Sequence, residues 1–222
     1  MFAEDTFPAA PLALSITFVA HATFWITHGA AVIHVDPVGQ YADYAALPKA
    51  DLVLVTHEHH DHLDPGAIEA VRKPSASVVV ASKCAGQVPG AIVLHNGDSR
   101  SVGRIRVEAV PAYNVVHERS PGMPYHPKGS GNGYVLTLGE RRLYVAGDTE
   151  NTREMKALKG IDIAFLPMNV PYTMTPEMVA DAALAFRPKI LYPYHYGETD
   201  TSVIQGLLAS AEGIEVRIRP MK

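Results

Sequence analysis

One cysteine, Cys84, stands in a chain of 222 residues, so an intramolecular disulfide is excluded. No apolar run reaches about 18 residues, which excludes a membrane-spanning helix. No basic run occurs and the formal net charge is −4, so a nucleic-acid partner gains no electrostatic support. Internal repeats are absent beyond a faint similarity between the two halves. The segment from Met1 to Leu14 lacks a basic start and an apolar centre, and does not read as a signal peptide. Residues 2–8 also fit the start of a mature exported chain behind an added methionine. A cytoplasmic location is the default expectation, a periplasmic or exported one the alternative. What is present is ordinary for a folded chain: 47% hydrophobic and 19% charged residues argue against disorder. The length predicts one domain spanning 1–222 with a sizeable core.

Four of the eleven histidines fall within six positions, in Thr56-His57-Glu58-His59-His60-Asp61-His62. Imidazole is the commonest protein metal ligand, and a carboxylate is a natural harder companion. Upstream, Asp51-Leu52-Val53-Leu54-Val55 reads as a buried strand, so the histidines sit where a core strand ends. Such strand ends are where α/β proteins place their sites. His57 and His59 are two apart and point the same way in an extended segment; Asp61 continues the alternation, and His62 projects differently. One loop thus offers ligands in two directions, which suits two adjacent metal ions.

Strands are predicted at 15–19, 24–27, 31–35, 52–56, 78–81, 92–95, 105–110, 134–138, 143–146, 163–167, 190–194 and 215–218. Helices are predicted at 65–71, 153–158, 176–186 and 202–211, with Asp64 and Thr175 as N-caps and Pro65 and Pro176 in first turns. Prolines and glycines cluster at 121–133, so 114–132 reads as a long loop, which in a compact domain is functional or mobile. Cys84 reads as a small buried residue or an inert thiol, and Met168 and Met174 as packing.

The pattern His-x-His-x-Asp-His resembles the metallo-β-lactamase fold superfamily. So do Ala146-Gly147-Asp148-Thr149 and Pro193-Tyr194-His195-Tyr196-Gly197, each closing an apolar strand. The resemblance implies a four-layer αββα sandwich of the α/β class. It implies His57 and His59 at a first metal site, Asp61 and His62 at a second, Asp148 as bridge and His195 as the last ligand of the second. The aspartate motif at Asp36 implies a supporting role that orients ligands, and His21 a position near the cleft. His60 holds a variable position. The likeness is greatest to a branch of simple metal-dependent hydrolases that includes ascorbate-6-phosphate lactonase-like and N-acylphosphatidylethanolamine phospholipase D-like proteins. β-Lactam cleavage is disfavoured: Asp148 stands where the antibiotic-cleaving members carry cysteine.

One departure from the family pattern concerns the first site. The third histidine expected after Pro111-Ala112-Tyr113 is replaced by Asn114, whose amide is a poor zinc ligand. His126 and His117 are the available substitutes, His126 with the better interval to Asp148. If neither serves, the first site is weak or empty. Of Tyr113, Tyr125, Tyr172, Tyr194 and Tyr196, one or two are expected to touch substrate, and Tyr196 heads that expectation.

The implied activity is hydrolysis of an ester, lactone or phosphodiester in a small molecule by hydroxide generated on the metal. Asp61 would orient or deprotonate the water, and His126, Tyr196 or His21 would assist the leaving group. Zinc is the first expectation, one ion or two, with manganese, iron and nickel compatible with a nitrogen–oxygen set. Two other classes remain in view: a metal-binding or regulatory protein with little catalysis, and an iron-dependent oxidoreductase of the same fold.

Overall fold

A computed structural model describes residues 2–8 and 12–221. Met1 and residues 9–11 of the amino-terminal segment discussed above, and Lys222, lie outside the described residues. The first sheet takes seven strands in chain order: β1 (Ala3–Phe7), β2 (Leu14–Ala20), β3 (Thr23–His28), β4 (Ala31–Val35), β5 (Ala50–Val55), β6 (Arg72–Ala81) and β7 (Ile92–Leu94). A second seven-stranded sheet is built from β8 (Ser99–Val102), β9 (Ile105–Ala112), β12 (Gly131–Leu138), β13 (Arg141–Val145), β14 (Ile163–Pro167), β15 (Ile190–Tyr194) and β16 (Glu215–Val216). Its spatial order is β16-β15-β14-β13-β12-β9-β8. Between β9 and β12 lies a small hairpin, β10 (Glu118–Ser120) with β11 (Met123–Pro124). The helices are α1 (Pro65–Val71), α2 (Arg153–Lys156), α3 (Pro176–Phe186) and α4 (Thr201–Leu207).

Each sheet is antiparallel in one half and parallel in the other. Strands β1 to β4 alternate in direction and β4 to β7 run together; β8, β9, β12 and β13 alternate and β13 to β16 run together. The alternation of strand side chains explains the near-continuous apolar runs. Leu52 and Leu54 point into the core between the sheets, while Val53 and Val55 point outward beneath α1. Likewise Tyr192 and Tyr194 face the inter-sheet core, and Leu191 faces α3 and α4. Phe165 stacks on Phe24 at 4.2 Å and on Tyr192 at 5.1 Å, joining the sheets. Burying each such ring stabilises the fold by roughly 2 kcal/mol. The layers are therefore α1, sheet, sheet, and α2 to α4: the αββα sandwich of the α/β class.

Asp64 caps α1 by accepting from Gly66 N and Ala67 N, and Thr175 caps α3 by accepting from Met178 N. Cys84 is buried at the end of a 3-10 turn, and burial pushes its thiol up to about 12, so it is inert. Met168 and Met174 are fully buried.

Several elements differ from the sequence expectation. Strands β1 and β8 are polar and carry little apolar alternation. Strand β1 is held instead by pairing with β2 and by Asp5, which accepts from Arg219 at 2.7 Å and from Tyr192. The stretch 114–132 is not one loop: it contains the β10–β11 hairpin and the first residues of β12. Helix α4 ends at Leu207 rather than 211, after the weak helix former Gly206, and α2 at Lys156 rather than 158, ahead of left-handed Gly160.

Candidate metal centre

The carboxyl ends of β4, β5, β13 and β15 meet at one edge of the sandwich, each delivering one segment: Asp36, Thr56–His62, Gly147-Asp148 and His195. The chain turns sharply at these ends. Gly147 has φ 65°, and a Cβ there would sit 2.9 Å from Asn132 O and 3.1 Å from Thr56 Cβ. Asp36 (φ 42°), His195 (φ 47°) and His21 (φ 57°, in the β2–β3 turn) are also left-handed. Such conformations cost about 1 kcal/mol or more each and persist only where surroundings enforce them. Here His195 N–H donates to His21 O at 2.9 Å, locking two of these residues together.

Three overlapping groups of ligand atoms lie within 4.8 Å of one another: His57 with His59 and His126; His57 with His62 and Asp148; and His21 with Asp61, His62 and His195. Asp148 sits between them. Its Oδ2 lies 3.3 Å from His126 Nε2, 3.4 Å from His195 Nε2 and 3.8 Å from His57 Nε2, while Oδ1 lies 3.4 Å from His62 Nε2. Asp61 Oδ2 lies 3.6 Å from His195 Nε2 and 3.8 Å from His62 Nε2.

The buried atoms His57 Nε2, His62 Nε2, His126 Nε2, His195 Nε2 and Asp148 Oδ1 have no hydrogen-bond partner. Orphaned buried polar atoms are costly, and five shared among these adjoining groups fit bound cations. The donor set of imidazole and carboxylate suits a divalent transition metal.

In His57, His62 and His126 the opposite ring nitrogen is engaged, which fixes the orientation of these three imidazoles. Asp36 Oδ2 accepts from His62 Nδ1 and Thr56 Oγ1, both at 2.7 Å, and Oδ1 accepts from Thr56 N at 2.8 Å. Thr56 Oγ1 in turn accepts from His57 Nδ1 at 3.0 Å. Asn114 Oδ1 accepts from His126 N at 2.7 Å and His126 Nδ1 at 2.8 Å. Asn114 Nδ2 then donates to Glu150 Oε1 and Tyr172 O. Glu150 is buried and also accepts from Val115 N, Val116 N, His117 N and His117 Nδ1. Glu150 escaped sequence reasoning; its nearness to Asp148 was the only signal.

Of the two substitutes for the absent histidine, His126 joins His57 and His59, whereas His117 turns to Glu150. His126 was also expected to carry a proton for the leaving group. Its Nδ1 is committed to Asn114 and its Nε2 lies with the ligand atoms of His57 and His59. Tyr196 does not face the centre: its hydroxyl donates to Arg219 O at 2.8 Å and accepts from Met221 N at 3.1 Å, because the carboxyl-terminal segment packs over it. Tyr194 is buried, its oxygen accepting from Gly147 N at 2.9 Å beneath Asp148. Tyr113 donates to Glu154, and Tyr125 and Tyr172 line the cleft.

A family profile described as a beta-lactamase superfamily domain matches residues 15–195. The chain belongs to the beta-lactamase superfamily. Among its relatives, a UPF0173 metal-dependent hydrolase of Pelotomaculum thermopropionicum is 30% identical over 222 residues, covering 92% of this chain and 96% of the relative. A solved structure of a candidate metal-dependent hydrolase from Parabacteroides distasonis superposes with a TM-score of 0.95 at 47% identity, covering all of both chains. Igni18, a metallo hydrolase of Ignicoccus hospitalis, shares the fold alone, with a TM-score of 0.73 at 23% identity over 93% of this chain and 95% of that one. The chain is thus a metal-dependent hydrolase of this superfamily.

Electrostatics in this superfamily member favour a cation at the centre. Burial opposes charge on His62, yet Asp148, Asp36 and Asp61 outweigh it and push its pKa up to about 9. Burial, with the neighbouring His62, holds His57 well below its ordinary value, so it is neutral, as a ligand must be. Burial would raise Asp148 and Asp61. For Asp148 the nearby His195 and His62 reverse this, and for Asp61 the nearby His195 and the bond to His21 do, so both stay ionised. His21 Nε2 lies 3.2 Å from Asp61 Oδ2, with its ring 3.7 Å from that of His195. Above the centre opens a cavity of about 330 Å³, bordered by His60, Asn169 and Tyr172 among others.

Proposed function

We propose that the chain is a binuclear hydrolase of small-molecule esters, lactones or phosphodiesters. His57, His59 and His126 would hold one divalent ion and Asp61, His62 and His195 the second, with Asp148 within reach of both groups. The convergence of orphaned buried nitrogens with Asp148 carries this reading. Zinc is the first choice for the mixed set; manganese, iron and nickel fit the same ligands. Metal bound there would supply Lewis acidity and a water acidic enough to give hydroxide near neutral pH.

The chain's own groups then divide the work. Asp36, Thr56 and Asn114 hold the imidazoles in the tautomers that present Nε2. Asp61 remains ionised and one oxygen is held by His21, so it can orient the attacking water as an acceptor. His21 borders the cavity and is placed to pass a proton to the leaving group. The cavity size supports a small-molecule substrate, and the shared core between the sheets supports reading residues 1–222 as one domain. Among the described residues no helix is long and apolar enough to cross a membrane.

The test is metal analysis with a panel of ester, lactone and phosphodiester substrates, wild type beside His57→Ala. About two metal equivalents and turnover in the wild type, with both reduced in the variant, are expected. Retention of metal and turnover by His57→Ala would refute the assignment. Oxygen uptake by iron-loaded protein without hydrolysis would favour the redox chemistry instead.

A further inference from the structure

Arg119 stands out among the residues that border the cavity. Among the described residues it is the only arginine or lysine there, and it sits on β10, the first strand of the hairpin. Among the described residues its one contact of note is with an aromatic ring: the guanidinium lies over Tyr125, 5.7 Å from the centroid. Tyr125 meets Tyr172 edge-on at 5.1 Å, and the Tyr172 carbonyl is tied to Asn114 at 2.9 Å. The arginine is therefore placed by a cation–ring contact, and among the described residues no carboxylate is paired with its N–H donors. Arg72, Arg141, Arg142, Arg217 and Arg219 are, by contrast, each engaged by an acid. The adjacent Glu118 accepts from Gly122 N within its own turn. The acids of the cavity, Asp61 and Asp148, belong to the metal centre.

A guanidinium fork matches the planar oxygens of a carboxylate or phosphate bidentately, and an arginine held over an aromatic ring is partly placed before binding. Two divalent ions would also leave the centre positive against two carboxylates, so the whole cavity would favour negative charge. We propose that Arg119 anchors an anionic group of the substrate, so that this enzyme takes small molecules carrying a carboxylate or phosphate remote from the bond that is cleaved. This rests on the hydrolase reading above for the reaction, and on the cavity alone for the recognition.

The experiment is calorimetric titration of metal-loaded protein with pentanoate, glutarate and 4-phosphonobutyrate, for wild type, Arg119→Gln and Arg119→Lys. Each ligand brings one carboxylate for the metals, and only the last two bring a second anion. In the wild type, a dianion is expected to bind about tenfold tighter than pentanoate at low salt, with the ratio shrinking as salt rises. In Arg119→Gln the ratio should fall towards one, and Arg119→Lys should restore part of it. Preference for glutarate would identify a carboxylated substrate, preference for 4-phosphonobutyrate a phosphorylated one. A wild-type ratio near one, or a ratio unchanged in Arg119→Gln, would overturn the proposal. The ratio is read without turnover, so it stands apart from the hydrolase reading, which 4-nitrophenyl acetate hydrolysis by the same wild-type preparation tests separately.

Discussion

Asn114 Oδ1 accepts from both the backbone N–H and the Nδ1–H of His126, at 2.7 and 2.8 Å. The residue that stands in place of a family histidine thus orients the histidine that groups with His57 and His59. Asn114→Ala should keep the fold but release the His126 ring. Metal affinity is expected to fall about 10- to 100-fold, seen as loss of roughly one equivalent on dialysis. Asn114→His adds an imidazole where the amide oxygen was needed, so metal content should fall or stay level. A rise in metal content in Asn114→His would mean that His126 does not complete the site.

Gly147→Ala tests the turn that aims Asp148. The left-handed φ of 65° and the 2.9 Å approach to Asn132 O leave no room for a methyl group. A loss of about 2 kcal/mol in unfolding free energy is expected, together with weaker metal binding. Wild-type stability by urea unfolding would contradict the close approach.

Metal removal should loosen the fold. The centre gathers ionised carboxylates and orphaned nitrogens that only a cation or protons can satisfy. Free zinc at about 100 times its dissociation constant should add roughly 2.7 kcal/mol over the chelated protein, or about 5–10 °C in Tm. Coincident melting curves with and without chelator would count against a metal buried among these ligands.

His34 gives a pH dependence independent of the metal. It is fully buried, its Nε2 donates to Pro48 O at 2.9 Å, and its ring stacks on Trp25 at 5.6 Å. Burial lowers its pKa from 6.5 to about 4. The unfolded chain therefore binds the proton more readily than the folded one. Stability from this group is complete above pH 6.5 and is lost as the pH falls towards 4, by roughly 3 kcal/mol. In chelated protein, His34→Gln should lower stability at pH 7 yet flatten the slope between pH 6.5 and 4; an unchanged slope would remove His34 from this role.

Much of the architecture is legible because short-range chemistry fixes it. Runs such as Leu52-Val53-Leu54-Val55 are apolar on both faces, which only a strand covered on both sides requires. Asp64-Pro65 and Thr175-Pro176 mark helix starts through their own caps. Strands β1 and β8 escaped because their residues are polar and their stability comes from partners distant in the chain, as with Asp5 and Arg219.

The sequence by itself determined the class of fold, and it placed His57, His59, Asp61 and His62 on one loop, because their spacing is local; the turn closed on His59 O, not strand alternation, sends Asp61 to the side of His62. It also left two residues, His117 and His126, as substitutes for the histidine absent at Asn114. Only the tertiary structure groups His126 with His57 and His59 and turns His117 to Glu150. Which imidazole turns a free nitrogen inward depends on what holds its other nitrogen, and those partners lie far along the chain: Asn114 for His126, Glu150 for His117, Asp36 for His62. The same holds for Tyr196, drawn away from the centre by Arg219 and Met221 at the end of the chain.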